Sequence, residues 1–211
     1  YPADKDHLII SFIENDKSQP KESKDDFVNA IINMHLNKND KFGFNFNTQI
    51  GGLKQINIKT DNWIEFYKKN RLNYIYELIC STNPMEKLIN SKIEKLLNKL
   101  EDFIPKNPIP TLLHGDLWEG NILFNKKKFV GLIDPGSFFG HNEFEIAYLT
   151  WFNPGFIKNN FLNKYNEVIR IDREYHTYEP VYQLYYSLMN VHLWDRKYIN
   201  DAKRLLEKIK I

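Results

Sequence analysis

Few folds can present an Asp, an Asn five residues later and a second Asp at the end of the following hairpin, and this chain carries all three. The segment HGDLWEGN, His114 to Asn121, is followed by an apolar stretch, a turn and then IDPGSFFG, Ile133 to Gly140. The spacing predicts a loop that holds Asp116 and Asn121 on one side of a cleft. The runs Ile122 to Phe124 and Phe129 to Ile133 alternate as short strands around Lys126, Lys127 and Lys128, so the hairpin returns Asp134 to face them.

Those residue types suit phosphoryl transfer. The reaction needs a carboxylate to orient and deprotonate the acceptor hydroxyl, and further oxygen ligands to hold magnesium against a triphosphate. Asp116 stands where a catalytic base is needed, with Asn121 and Asp134 as the magnesium ligands and ATP supplying the remaining oxygens. The Asp and Asn spacing is that of the kinase catalytic loop. An isolated HGD would be an ordinary turn; the combination is what points to a kinase. His114 is expected to order the loop by packing, not to carry protons.

The rest of the chain reads as mainly helical, giving an α+β fold with a small catalytic β-hairpin. Leu8 to Ile13 is a short β-branched run expected to be a strand, followed by a Lys, Ser and Pro linker from Asn15 to Glu22. Ser23 with Asp26 resembles a capping pair for a helix ending near His35. Asn37 to Thr60 shows no sustained period and reads as a long irregular loop. Thr60 is expected to cap a helix from Trp63 to about Cys80, and a second helix follows Pro84 with Ile89, Ile93, Leu96, Leu97 and Leu100 on one face. Thr111 to His114 is another short strand. Later helices are expected around Phe144 to Phe152, Ile157 to Ile169, Pro180 to Trp194 and from Lys197 onward.

Composition narrows the partners. With 29 basic and 27 acidic residues in 211, the net charge of +2 gives no electrostatic reason for a nucleic-acid partner. The three lysines of the hairpin turn are expected to be a solvated tip. A single cysteine, Cys80, precludes an internal disulfide and suits a reducing cytoplasm. No uncharged apolar stretch reaches transmembrane length, so no membrane partner and a cytoplasmic location are expected.

At LLHGDLWEGN and DPGSFFGHNEFEIA the sequence resembles the fructosamine (ketosamine) kinases, a branch of the aminoglycoside phosphotransferase and choline kinase superfamily with a protein-kinase-like fold. FGFNFNTQIGG, TDNWIEFYKKNRL and EPVYQLYYSLMNVHLW resemble further landmarks of that family, so the likeness spans nearly the whole chain. The resemblance implies an ATP- and Mg2+-dependent kinase that phosphorylates a sugar hydroxyl of glycated amines or protein lysines, a deglycation repair. It carries Asp116 over as catalytic base and Asn121 and Asp134 as magnesium ligands. Residues 1–14 would be the remnant of the hinge strand, with adenine bonded to main chain near Ser11 and Ile13, and 15–211 the helical C-terminal lobe. Trp118 would either stack on a sugar face or wedge the loop. Phe138 and Phe139 would add aromatic surface, and Glu143 and Glu145 would either favour a cationic amine or stabilise the first turn of their helix.

No glycine precedes Gly43, and no strand lysine precedes the apolar run at Leu8, so the N-terminal lobe of such kinases is missing from this sequence and the chain alone is expected to be nearly inactive. Two alternatives stay open: a kinase of the same fold acting on an aminoglycoside, choline or homoserine, and a non-catalytic relative that binds a sugar or a protein.

Overall fold

A computed structural model describes residues 10–21, 23–152, 155 and 157–211. In chain order the elements are helix α1 (Asp25–His35), strands β1 (Thr48–Ile50) and β2 (Leu53–Gln55), and helix α2 (Trp63–Tyr67). Helix α2 runs through a π-helical turn at Lys68–Leu72 into α3 (Asn73–Thr82), and α4 (Lys87–Asn98) follows. Strands β3 (Thr111–Leu113), β4 (Ile122–Asn125), β5 (Lys128–Leu132) and β6 (Phe138–Gly140) then precede α5 (Asn142–Phe152), α6 (Lys158–Val168), α7 (Tyr175–Leu193) and α8 (Ile199–Ile209).

The strands pair as three antiparallel two-stranded units, β1 with β2, β3 with β6 and β4 with β5. Pairing of β3 with β6 places Leu113 opposite Phe138, so the starts of the two functional segments, HGD and DPG, are tied side by side. Helices pack around these ribbons. Helix α7 is the central one, with Tyr182, Leu184 and Tyr186 fully buried against α5, and the Tyr148 and Tyr186 rings stack with centroids 3.9 Å apart. Aromatic side chains bury large areas at low rotamer cost, which suits a core in which offset and edge contacts fix one arrangement. Trp63 joins this cluster, donating from Nε1 to the Tyr182 hydroxyl at 2.8 Å.

Several expectations are corrected by local chemistry. The described part of the Leu8 to Ile13 run, Ile10 to Ile13, forms no strand; Leu8 and Ile9 lie outside the described residues. Segment 15–18 instead collars the β4–β5 hairpin: Asp16 N–H donates to Phe124 O at 3.1 Å, and Lys126 N–H donates to the Asp16 carboxylate at 3.0 Å. Lys126 and Lys127 both take positive φ, the paired left-handed turn that matches strand twist in a two-residue hairpin.

Ser23 does not cap α1; its hydroxyl donates to Ile157 O, and Lys24 occupies the cap position without a side-chain bond. Asn62, two residues past Thr60, caps α2 by accepting from Glu65 N–H at 2.9 Å. Helix α7 starts at Tyr175 and carries Pro180 inside it. The stretch from Asn37 to Thr60 is less irregular than its composition suggests. It contains the β1–β2 hairpin and bridges Lys38 to Thr111 and Gly43 to Phe139, so it borrows order from distant strands.

Candidate active site

Loop geometry decides where the chemistry sits. Gly115 has φ +86, and a side chain there would collide with the Gly136 carbonyl, so only glycine lets the HGD and DPG backbones touch. Gly136 is pinned in turn: its carbonyl accepts from Gln55 Nε2 at 2.9 Å and from the Thr48 hydroxyl at 3.2 Å. Thr48 is held by Asn57, and Asn57 by the fully buried Arg71 at 2.7 Å, whose guanidinium lies 4.0 Å from the centre of the Phe138 ring. The hairpin β1–β2 therefore locks the Asp134 loop from behind.

Beneath the catalytic loop lies a buried carboxylate. Glu145, fully enclosed on α5, accepts from the backbone N–H groups of Gly115 at 2.6 Å and His114 at 3.1 Å, and pairs with His35 Nε2 at 2.9 Å. Burial pushes its pKa up, but the His35 ring bonded to it, with the nearby His114 and the Gly115 amide, outweighs it and holds the carboxyl below its usual value. His35 is fixed from its other side by the Tyr165 hydroxyl at 2.7 Å. His114 accepts from Asp116 N–H at Nδ1, and burial lowers its pKa against the opposing influence of Glu145, so it is a neutral structural ring.

On the solvent side, Asn121 donates from Nδ2 to the Asp116 backbone oxygen at 2.8 Å and to its carboxylate at 3.2 Å. Both partners are acceptors, which fixes the amide orientation and turns its oxygen away from Asp116. Ile133 N–H bonds Asn121 O at 3.1 Å, joining the end of the hairpin to the same loop. Asp134 follows in a left-handed conformation, φ +53, with an exposed side chain whose charge is felt at both Asp116 and His114. Burial raises the Asp116 pKa to about 6, with Asn121 pulling the other way and Asp134 and Glu145 adding to the rise. The Asp134 carboxylate and the Asn121 amide oxygen are hard oxygen donors of the kind magnesium takes beside phosphates.

A cavity of about 230 Å3 opens next to Asp116, lined among others by Gly51, Trp118, Tyr148, Asn190, Trp194 and Tyr198. Trp118 folds over Gly120, where any side chain would strike the indole. It therefore both wedges the loop and faces the cavity.

The other sequence-derived candidates lie elsewhere. Phe138 is fully buried in the core beside Arg71, and Phe139 is spent on pairing with Gly43 and packing on Phe44 at 6.0 Å; neither lines the cavity. Glu143 accepts from Tyr178 and from Asp172 N–H, and burial raises its pKa; like Glu145 it is a buried support with no place in the cavity lining. Ser11 is exposed, and Ile13 packs on Gly131 of β5. Asn190 and Trp194 fall within the EPVYQLYYSLMNVHLW landmark, but their place in the cavity, like that of Tyr148 and Tyr198, depends on α5, α7 and the turn after α7 converging on one point.

The mixed lobe, with its paired HGD and DPG loops, is that of a kinase of the protein-kinase-like type. The fructosamine kinase family model matches residues 2–211, and the chain belongs to that family. It is 31% identical to a candidate ketoamine kinase of Enterococcus faecium over 206 residues, 95% of this chain and 71% of that protein. It is 30% identical to the chloroplastic protein-ribulosamine 3-kinase of Arabidopsis thaliana, covering 98% of this chain and 62% of that one. A solved structure of a candidate fructosamine-3-kinase from Thermobifida fusca superposes with a TM-score of 0.85 at 26% identity, covering 94% of this chain and 68% of that one.

Proposed function

We propose that this chain carries the catalytic and acceptor-binding lobe of an ATP-dependent ketosamine kinase. The observation that carries the reading is the cavity that opens on Asp116, a carboxyl whose pKa is raised to about 6. A base with a pKa near the working pH combines the right protonation state with useful proton affinity. Asp116 accepts the proton of the acceptor hydroxyl as its oxygen bonds to phosphorus, and the phosphoryl group passes from ATP to the sugar with release of ADP. Asn121 and Asp134 would hold magnesium, which supplies charge neutralisation at the phosphates. Main chain near Ser11 and Ile13 is the proposed adenine contact.

The acceptor class follows from the lining. Trp118 and Trp194 offer apolar faces that suit the C–H surfaces of a sugar, and Asp116 meets its hydroxyls. The Arabidopsis relative is named for ribulosamine on protein and a mouse relative for ketosamine, each phosphorylated at position 3. Glycated lysines are thus the proposed substrates, and repair of glycated protein the proposed role. The test assays the full-length protein with ATP and magnesium against N-fructosyl-lysine, N-ribulosyl-lysine, an aminoglycoside and choline. Catalytic efficiency highest for a ketosamine is the expected result; a better aminoglycoside or choline overturns the acceptor, and no transfer to any of them overturns the kinase reading.

A further inference from the structure

Arg71 is fully buried, and its guanidinium is spent on uncharged acceptors: Ile56 O at 2.7 Å, Asn70 O at 2.8 Å and Asn57 Oδ1 at 2.7 Å. Among the described residues no carboxylate pairs with it. A buried charge without a counter-ion is expensive, and departures of that kind gather where function needs them.

The guanidinium also sets a direction. It can only donate, so Asn57 must turn Oδ1 toward it and Nδ2 away. Nδ2 then donates to Thr48 Oγ1 at 2.9 Å and to Phe46 O at 3.2 Å. With its oxygen accepting from Asn57, the Thr48 hydroxyl sends its own proton to Gly136 O at 3.2 Å, and Gln55 Nε2 donates to the same carbonyl at 2.9 Å. Every bond of this relay runs one way, from a cation to a single carbonyl, and bonds aligned in this manner polarise one another.

The Gly136 carbonyl lies where the two functional loops meet. On its other side is Gly115, so close that no Cβ fits there, and Asp116 is the next residue. Two residues before Gly136, Asp134 holds a left-handed backbone with φ +53, which a non-glycine residue keeps only where its surroundings impose it. The place of this one carbonyl therefore sets how far Asp134 stands from Asp116. Resting on the assignment of Asn121 and Asp134 as metal ligands, we infer that Thr48, Asn57 and Arg71 are positioning residues for that metal. Their relay holds Asp134 in place against Asp116, and breaking it weakens divalent-cation binding without removing a ligand.

The test titrates Mn2+ into the full-length protein with ADP and follows it by electron paramagnetic resonance, so the readout is metal binding and not turnover. Thr48→Val keeps the shape of the side chain and removes the hydroxyl; it is expected to weaken Mn2+ binding by about threefold to tenfold, the equivalent of one hydrogen bond. Thr48→Ser, which keeps the hydroxyl, is expected to bind as wild type does. Asn57→Asp gives Arg71 a counter-ion but removes the donor to Thr48 and competes for the Thr48 proton. It is expected to weaken Mn2+ binding with no loss of melting temperature, a combination that support of the fold alone does not produce. Wild-type affinity in Thr48→Val or in a folded Asn57→Asp overturns the relay, and so does equal weakening in Thr48→Ser. A loss of affinity that only follows a loss of stability across the three variants overturns the positioning role as well. Absence of Mn2+ binding in wild type marks failure of the metal-ligand assignment itself, which unchanged binding in the variants does not.

Discussion

The two faces of the HGD loop are built on opposite principles. Underneath, Glu145 has both oxygens engaged, with His35 and two backbone amides as partners in a fully enclosed site. Above, Asp116 has one side-chain donor, Asn121, and opens on a cavity, while the nearby charge of Asp134 disfavours its ionisation. The same functional group, a carboxyl, is thus held below its usual pKa on one face and raised on the other. Satisfied polar groups in low dielectric rigidify; partly satisfied ones keep free energy available for a ligand. The loop is stiff where it is supported and chemically unfinished where it works.

The widest expected break is at the working face. Asp116→Asn in the full-length protein should lower kcat by on the order of 10²-fold to 10⁴-fold, with the fold intact and ATP binding retained; turnover near wild type in a steady-state assay would move the base to another residue. Next comes the supporting face. Glu145→Ala strands the His35 ring and two backbone amides, so unfolding in urea should show a loss of about 3–5 kcal/mol, and Glu145→Gln, which keeps one acceptor, a smaller loss. A mutant as stable as wild type would mean the carboxylate is not the anchor.

Gly115→Ala tests the contact between the two loops. The left-handed backbone and the clash with Gly136 predict a destabilisation of about 1–3 kcal/mol and misplacement of Asp116. Activity should therefore fall by more than stability, a split readable by comparing thermal melts with kcat.

The finest contrast is pH. The folded state binds the Asp116 proton more tightly than the unfolded chain, whose carboxyl titrates near 3.8. Ionisation therefore costs stability as pH rises from about 4 to the folded value of about 6, and the full cost stands above that. Asp116→Asn removes it and should stabilise the protein at pH 7 by about 1–2 kcal/mol after allowance for partial solvent access, with no gain at pH 4. Equal melting shifts at both pH values would show that burial does not perturb this group. In the substrate-free enzyme the same titration predicts an acid limb near pH 6 in kcat/KM.

Sequence alone reached the family, the mainly helical α+β class and the spacing of Asp116, Asn121 and Asp134, because that spacing is local: one loop and one hairpin suffice to set it, and glycine, proline and alternating strands mark their ends. It also separated α4 and the helices after Gly140 from the strands, where apolar period is strong. What it could not order were positions whose role comes from distant chain segments. Phe138 and Phe139 have the aromatic character of a binding surface, yet Arg71 and Gly43, roughly seventy to a hundred residues upstream, draw them into the core and into a bridge. Glu145 has the charge of a substrate contact, yet α1 delivers His35 to it. Tyr148 and Tyr198 lie outside every motif, and only the convergence of α5, α7 and the turn after α7 brings them to the Asp116 cavity. Backbone spacing is written in a stretch of sequence, whereas the partner that satisfies or starves a polar group arrives from elsewhere in the chain, and only the tertiary structure brings it.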